Sequence, residues 1–118
     1  INTEKGLDLS HLGKILKNYP KLTVILTHAN IWPNDRLLRP FLAEFPNVYL
    51  NLSHYTTPGG ISLLVDKYGA DRLLYGSGFP FSYFGANMLM IKHADIKDNE
   101  RDNIAGKNLE YILGRIKL

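Results

Sequence analysis

Three short, mostly apolar runs recur along the chain, at residues 22–28, 47–53 and 71–76, and a stretch with apolar positions at helical spacing follows each. The first run, 22–28, is β-branched and apolar on both faces, as buried strands of a parallel sheet tend to be. Between and before them, Leu9, Leu12, Ile15, Leu16 and Tyr19 form one apolar stripe, Leu37, Leu38, Phe41, Leu42 and Phe45 a second, and Ile61, Leu64, Val65 and Tyr68 a third. The punctuation agrees. Asp8 or Ser10 can cap the first helix and Asn34 or Asp35 the second, because their side-chain oxygens accept from free first-turn amides. Pro20 and Pro46 stop those two helices, since the residue before a proline avoids helical geometry. Residues 29–36 read as a loop, 56–60 as a turn, and Gly69 as the left-handed residue after the third helix. Residues 86–93, 99–105 and 107–113 read as closing helices.

Alternation of this kind predicts a parallel sheet with helical crossovers. In such folds the groups at the carboxyl ends of the strands line the binding site. His28, Ser53, His54 and Gly78 are therefore expected on one rim. A sheet of so few strands is incomplete. Helices cover one face of a barrel wall, and the other face must meet further strands. Residues 1–118 are accordingly expected to form a single partial domain, completed by another part of the protein or by copies of itself. Ile1 rather than methionine opens the chain, which predicts a start inside a longer protein.

Composition narrows the partners. The net charge of +3 is spread over scattered Lys and Arg residues with no basic tract, so a small molecule and not nucleic acid is the expected partner. Cysteine is absent, which removes disulfides and thiolate metal sites and fits a cytoplasmic location. No apolar run is long enough to span a bilayer, so no membrane partner is expected.

Four segments together carry a resemblance. Tyr19-Pro-Lys-Leu-Thr-Val-Ile-Leu-Thr-His-Ala-Asn30 resembles the sixth-strand segment of the amidohydrolase-related TIM barrels, where a histidine precedes small residues. Pro46-Asn-Val-Tyr-Leu-Asn-Leu-Ser53 is similar to their seventh strand. Gly69-Ala-Asp-Arg-Leu-Leu-Tyr-Gly-Ser-Gly-Phe-Pro80 is similar to the eighth, which usually reads Gly-Ser-Asp-Phe-Pro. Residues 99–113 resemble the closing helices, in which an asparagine recurs, here Asn108. The resemblance implies the C-terminal fragment of a (β/α)8 barrel, with about three parallel strands and their flanking helices. It further implies a hydrolase or decarboxylase dependent on a divalent metal, zinc by expectation, and acting on a small organic acid, amide or lactone. Such an ion acidifies bound water and polarises a carbonyl. In that family the ligands come from strands one, five and eight, and only the last of these is present here. Gly78 stands where the family carries its aspartate, so this chain offers no metal ligand there. Restoring a carboxylate at position 78 is expected to raise metal affinity in the intact protein.

Each candidate has a bland reading beside the functional one. His28 is either the main catalytic participant from this segment or an imidazole bonded to nearby backbone. His54 contacts substrate or faces solvent from its loop. Trp32 and Phe79, with Tyr55, Phe81, Tyr83 and Phe84, either line an apolar substrate pocket or pack on the rest of the protein. Ser53 reads as a strand-end cap, since no Gly-x-Ser-x-Gly elbow surrounds it, and Gly76-Ser77-Gly78 reads as a tight exit from a strand. The residues alone are not expected to turn over substrate, and an open sheet predicts self-association or pairing with the missing N-terminal part. The alternative from another class is a barrel that has lost catalysis and kept a ligand-binding or structural role, and Gly78 is the feature that favours it.

Overall fold

The structure, a computed structural model, describes residues 8–27 and 31–116, and the side chains of these except residues 31–37. It opens on α1 (Leu9–Asn18). Asp8 is its cap: Oδ1 accepts from the Ser10 amide at 2.9 Å and the Ser10 hydroxyl at 2.6 Å, and Oδ2 lies 2.6 Å from His11 Nδ1. The Ser10 side chain, then that of His11, holds the Asp8 carboxyl down from 3.8 to about 2. A lowered carboxyl contributes stability above the unfolded value of 3.8 and loses it as the pH falls through about 2. Hydrogen exchange should therefore show the first turn of α1 fraying over that acid window, and an Asp8→Ala variant should fray in the same place already at neutral pH.

Helix α1 buries only Leu16 fully, with Leu9 and Leu12 packed beside it. Ile15 and Tyr19 belong to the same apolar stripe in the sequence but are 47% and 65% exposed. The structure thus narrows the predicted buried face. The helix α2 (Ile31–Glu44) lies against α1, with the rings of Phe41 and the following Phe45 beside Gly13, and it starts earlier than the Asn34 or Asp35 cap expected from the sequence. Trp32, expected in a loop, is therefore helical. Pro33 falls within the first turn, where its missing N–H costs no bond.

The sheet consists of three parallel strands in the order β1-β2-β3, namely β1 (Val24–Leu26), β2 (Val48–Asn51) and β3 (Leu73–Leu74). Val24, Ile25 and Leu26 stand opposite Val48, Tyr49 and Leu50, and Leu50 and Asn51 opposite Leu73 and Leu74. Leu26, Val48, Leu50 and Leu73 point into the helix-covered core. The other face presents Ile25, 37% exposed, and the half-buried Tyr49 and Asn51. That division is the one a barrel wall requires, helices outside and further strands within.

All three strands are shorter than the sequence runs suggested. Ahead of β3 the cause is visible: Ala70–Arg72 forms a 3-10 turn closed by the Leu73 amide on Ala70 O. Its Arg72 reaches across to Leu42 O at 2.7 Å and Phe45 O at 3.1 Å, satisfying carbonyls at the end of α2. Partial burial pulls the guanidinium below its ordinary pKa.

Helix α3 (Gly60–Tyr68) follows β2 and buries Ile61, Leu64 and Val65 as the spacing predicts. Gly69 ends it at a φ of +79°, its amide on Val65 O. After β3 come α4 (Phe84–His93), α5 (Asp98–Asp102) and α6 (Asn108–Gly114). The break expected near Gly106 is absent. A π turn, Asn103–Lys107, joins α5 to α6 without interruption. It sets Ile104, Asn108 and Ile112 on one buried face, and Ile104 O accepts from the Tyr75 amide at 2.9 Å, beside β3. No helix among the described residues is long and apolar enough to cross a membrane.

Candidate functional site

The carboxyl ends of the strands bring the rim together. His28 follows β1 in the sequence and lies outside the described residues. Trp32 lies in α2, and its side chain is likewise outside them. Ser53 and His54 follow β2, and Ser77 and Gly78 follow β3. Ser53 is buried, and its hydroxyl lies 3.1 Å from His54 Nδ1, a contact that fixes how the half-buried imidazole is turned.

Gly78 is next to that ring. A Cβ built on Gly78 would lie 3.6 Å from His54 Cε1 and 3.1 Å from the Ser82 Cβ. Its φ of +70° is open to glycine and strained for other residues. Gly78 O accepts from the Phe81 and Ser82 amides, both at 2.9 Å, so the turn that follows presses Ser82 against the glycine. Position 78 is thus a tight exit from β3, as the sequence indicated. Phe79, joined to Pro80 by a cis peptide, is 73% exposed, and Phe81 and Tyr83 are 91% and 77% exposed.

Two further features hold this geometry, and the sequence reading missed both. Asn51 accepts the Ser53 amide at 2.9 Å, and its side-chain amide lies so close over Gly76 that any Cβ there would collide with it. Asn87 of α4 donates to Ser53 O and Gly76 O, each at 2.7 Å, and stands 3.4 Å from Leu52 O. Its two N–H groups match its two short bonds. They clamp the exits of β2 and β3 to α4. The signal in the sequence is a polar residue four positions before the buried Ile91, on the apolar side of a helix. The same spacing recurs at Asn108 and Ile112, where Asn108 donates to Ala70 O at 2.8 Å and Leu73 O at 2.9 Å, securing the other end of β3.

The donor set does not fit a metal ion. Among the described residues no three His, Cys, Asp or Glu side chains converge, and the two rim loops carry no carboxylate. What the described rim offers is hydrogen bonding from His54, Ser53, Ser82 and Asn51 beside exposed aromatic rings.

Comparison with known proteins places this geometry. No curated protein matches the chain. Among solved structures it is similar to an uncharacterized TIM-barrel protein from Bordetella bronchiseptica, with a TM-score of 0.74 and 26% identity over 89% of this chain and 38% of that one. It is similar in fold to a putative amidohydrolase from Staphylococcus aureus, with a TM-score of 0.67 and 24% identity over 85% of this chain and 37% of that one. It is also similar in fold to 2,6-dihydroxybenzoate decarboxylase complexed with 2,6-dihydroxybenzoate, with a TM-score of 0.64 and 19% identity over 85% of this chain and 37% of that one. The chain spans less than half the length of each of these structures. The family described as Amidohydrolase matches residues 3–115, and with a parallel sheet whose rim lies where that fold keeps its site, the chain belongs to the Amidohydrolase family and forms part of one of its TIM barrels.

Proposed function

We propose that the intact protein is a hydrolase or decarboxylase acting on a small organic acid, amide or lactone, and that this chain forms one side of its mouth. The family match over residues 3–115 carries the reading. The likeness of fold to a decarboxylase and to a putative amidohydrolase supports both reaction types. In this reading His28 is the principal catalytic group from the chain, while His54 and Phe79 contact substrate and Trp32 closes over it. A divalent metal, zinc by the family resemblance, would be held by residues outside the described set.

The intact protein, assayed for metal content and for turnover of aromatic carboxylates, simple amides and lactones, tests this. Turnover that a chelator stops is expected, together with a loss of about a hundredfold or more in His28→Gln, the range for removing a general acid or base. Gly78 favours a second reading, a barrel that binds ligand without chemistry. A metal-free protein that binds these compounds and converts none would establish that reading instead.

A further inference from the structure

We propose that the outer face of α4, with the loop leading into it, is the contact through which two copies of the intact protein pair. Each copy would present Phe81, Tyr83, Phe84, Met88 and Leu89 to the same patch of its partner. Three observations carry the inference. First, α4 is apolar on two sides. Asn87, Met90 and Ile91 line one small cleft with Leu52, Tyr55 and Ile61, so that side faces the core. Yet Phe84, Met88 and Leu89 of the same helix are 47%, 52% and 55% exposed. A helix that is apolar all round is normally one covered all round. Second, the area suffices. The Tyr83 and Phe84 rings lie 5.2 Å apart, and the Phe81 ring close by in the chain is almost fully exposed. At roughly 200 Å² for each aromatic side chain, the five residues expose about 600 Å², the upper limit for a free monomer and enough for the apolar share of one side of a standard interface. Third, the patch is compatible with itself. Residues 73–91 contain no Asp, Glu, Lys, Arg or His. A two-fold contact sets one patch against its own copy, where a charge of one sign would meet its like.

The absent part of the barrel is not placed to cover this face. Further strands must join the outer edges of β1 and β3 and close over the inner side of the sheet. Helix α4 stands at neither edge. Asn87 ties it to the exits of β2 and β3, and just past its end the Asp95 amide donates to Ser62 Oγ in α3 at 3.1 Å. Its free side is turned away from those anchors. The contact is also distinct from pairing through open strand edges, because a completed barrel has none.

The test is sedimentation equilibrium of the intact protein over a dilution series. The wild type should run as a closed dimer. Met88→Glu sets two carboxylates against one apolar contact and should weaken the dimer about a hundredfold. Phe81→Ser removes an exposed ring that lies outside the core and should weaken it about tenfold or more. Leu63→Glu, on α3 and 56% exposed outside the patch, should leave the dimer as it is. If Met88→Glu does not fold, Phe81→Ser decides the matter. A monomeric wild type, the result if the absent strands or another protein cover the face, would overturn the proposal. So would an open-ended polymer, or a dimer that the folded patch variants leave intact. The readout is mass, so a protein with no turnover tests the interface equally well.

Discussion

Asn87→Asp in the intact protein should cost about 3 kcal/mol of stability and spoil the mouth, although it changes no side-chain volume to speak of. The asparagine is buried and donates to the carbonyls of Ser53 and Gly76, from strands that are neighbours in space and distant in sequence. An aspartate brings oxygens against those carbonyls, so two attractive contacts become repulsive and a charge is buried without a partner. Asn87→Ala should cost less, about 2 kcal/mol, because it leaves acceptors unsatisfied without opposing them. The order of the two variants in urea midpoints is the informative result. A purely space-filling role for Asn87 predicts the opposite order, since alanine removes more atoms. Burial raises the pKa of a carboxyl placed there, so the deficit of Asn87→Asp relative to wild type should shrink as the pH is lowered from neutrality toward mild acid.

Leu50→Ala should cost about 3 to 4 kcal/mol, a large share of the 5–15 kcal/mol that holds an ordinary domain folded. Leu50 has no exposed surface and lies in the central strand, opposite Leu26 on one side and Leu73 on the other. Truncation there removes contacts from both strand neighbours and from the helices over them, and a close-packed layer collapses only partly into the space. Leu63 is the control. It is on α3 and 56% exposed, so Leu63→Ala should stay within about 0.5 kcal/mol of wild type. A small shift for Leu50→Ala in thermal or urea unfolding would mean that this sheet face is not the packed core.

A carboxylate restored at position 78 looked from the sequence like the recovery of a ligand. The geometry adds that the backbone is left-handed there and that Ser82 leans on the same space. The predicted break at Gly106 became a π turn for a comparable reason. The helix serves β3 by turning Ile104 O toward Tyr75 and Asn108 toward Leu73, and the extra residue in the turn is what keeps those groups on one face.

The chain by itself determined the order of the elements, a cap at Asp8 or Ser10, the ends of α1 and α3, and the carboxyl-end positions of Ser53, His54 and Gly78. These follow from period, capping chemistry and chain direction, which act over a few neighbouring residues. The family was legible for the same reason, as short runs in a fixed order. Only the tertiary structure decided how short the strands are, that Asn87 and Asn108 clamp opposite ends of β3, that Gly76 must be bare beneath Asn51, and that His54 meets Gly78 and Ser82. Those depend on backbone groups from separate strands and helices coming within hydrogen-bonding or contact distance. Close packing sets such approaches, and no local stretch of sequence contains both partners.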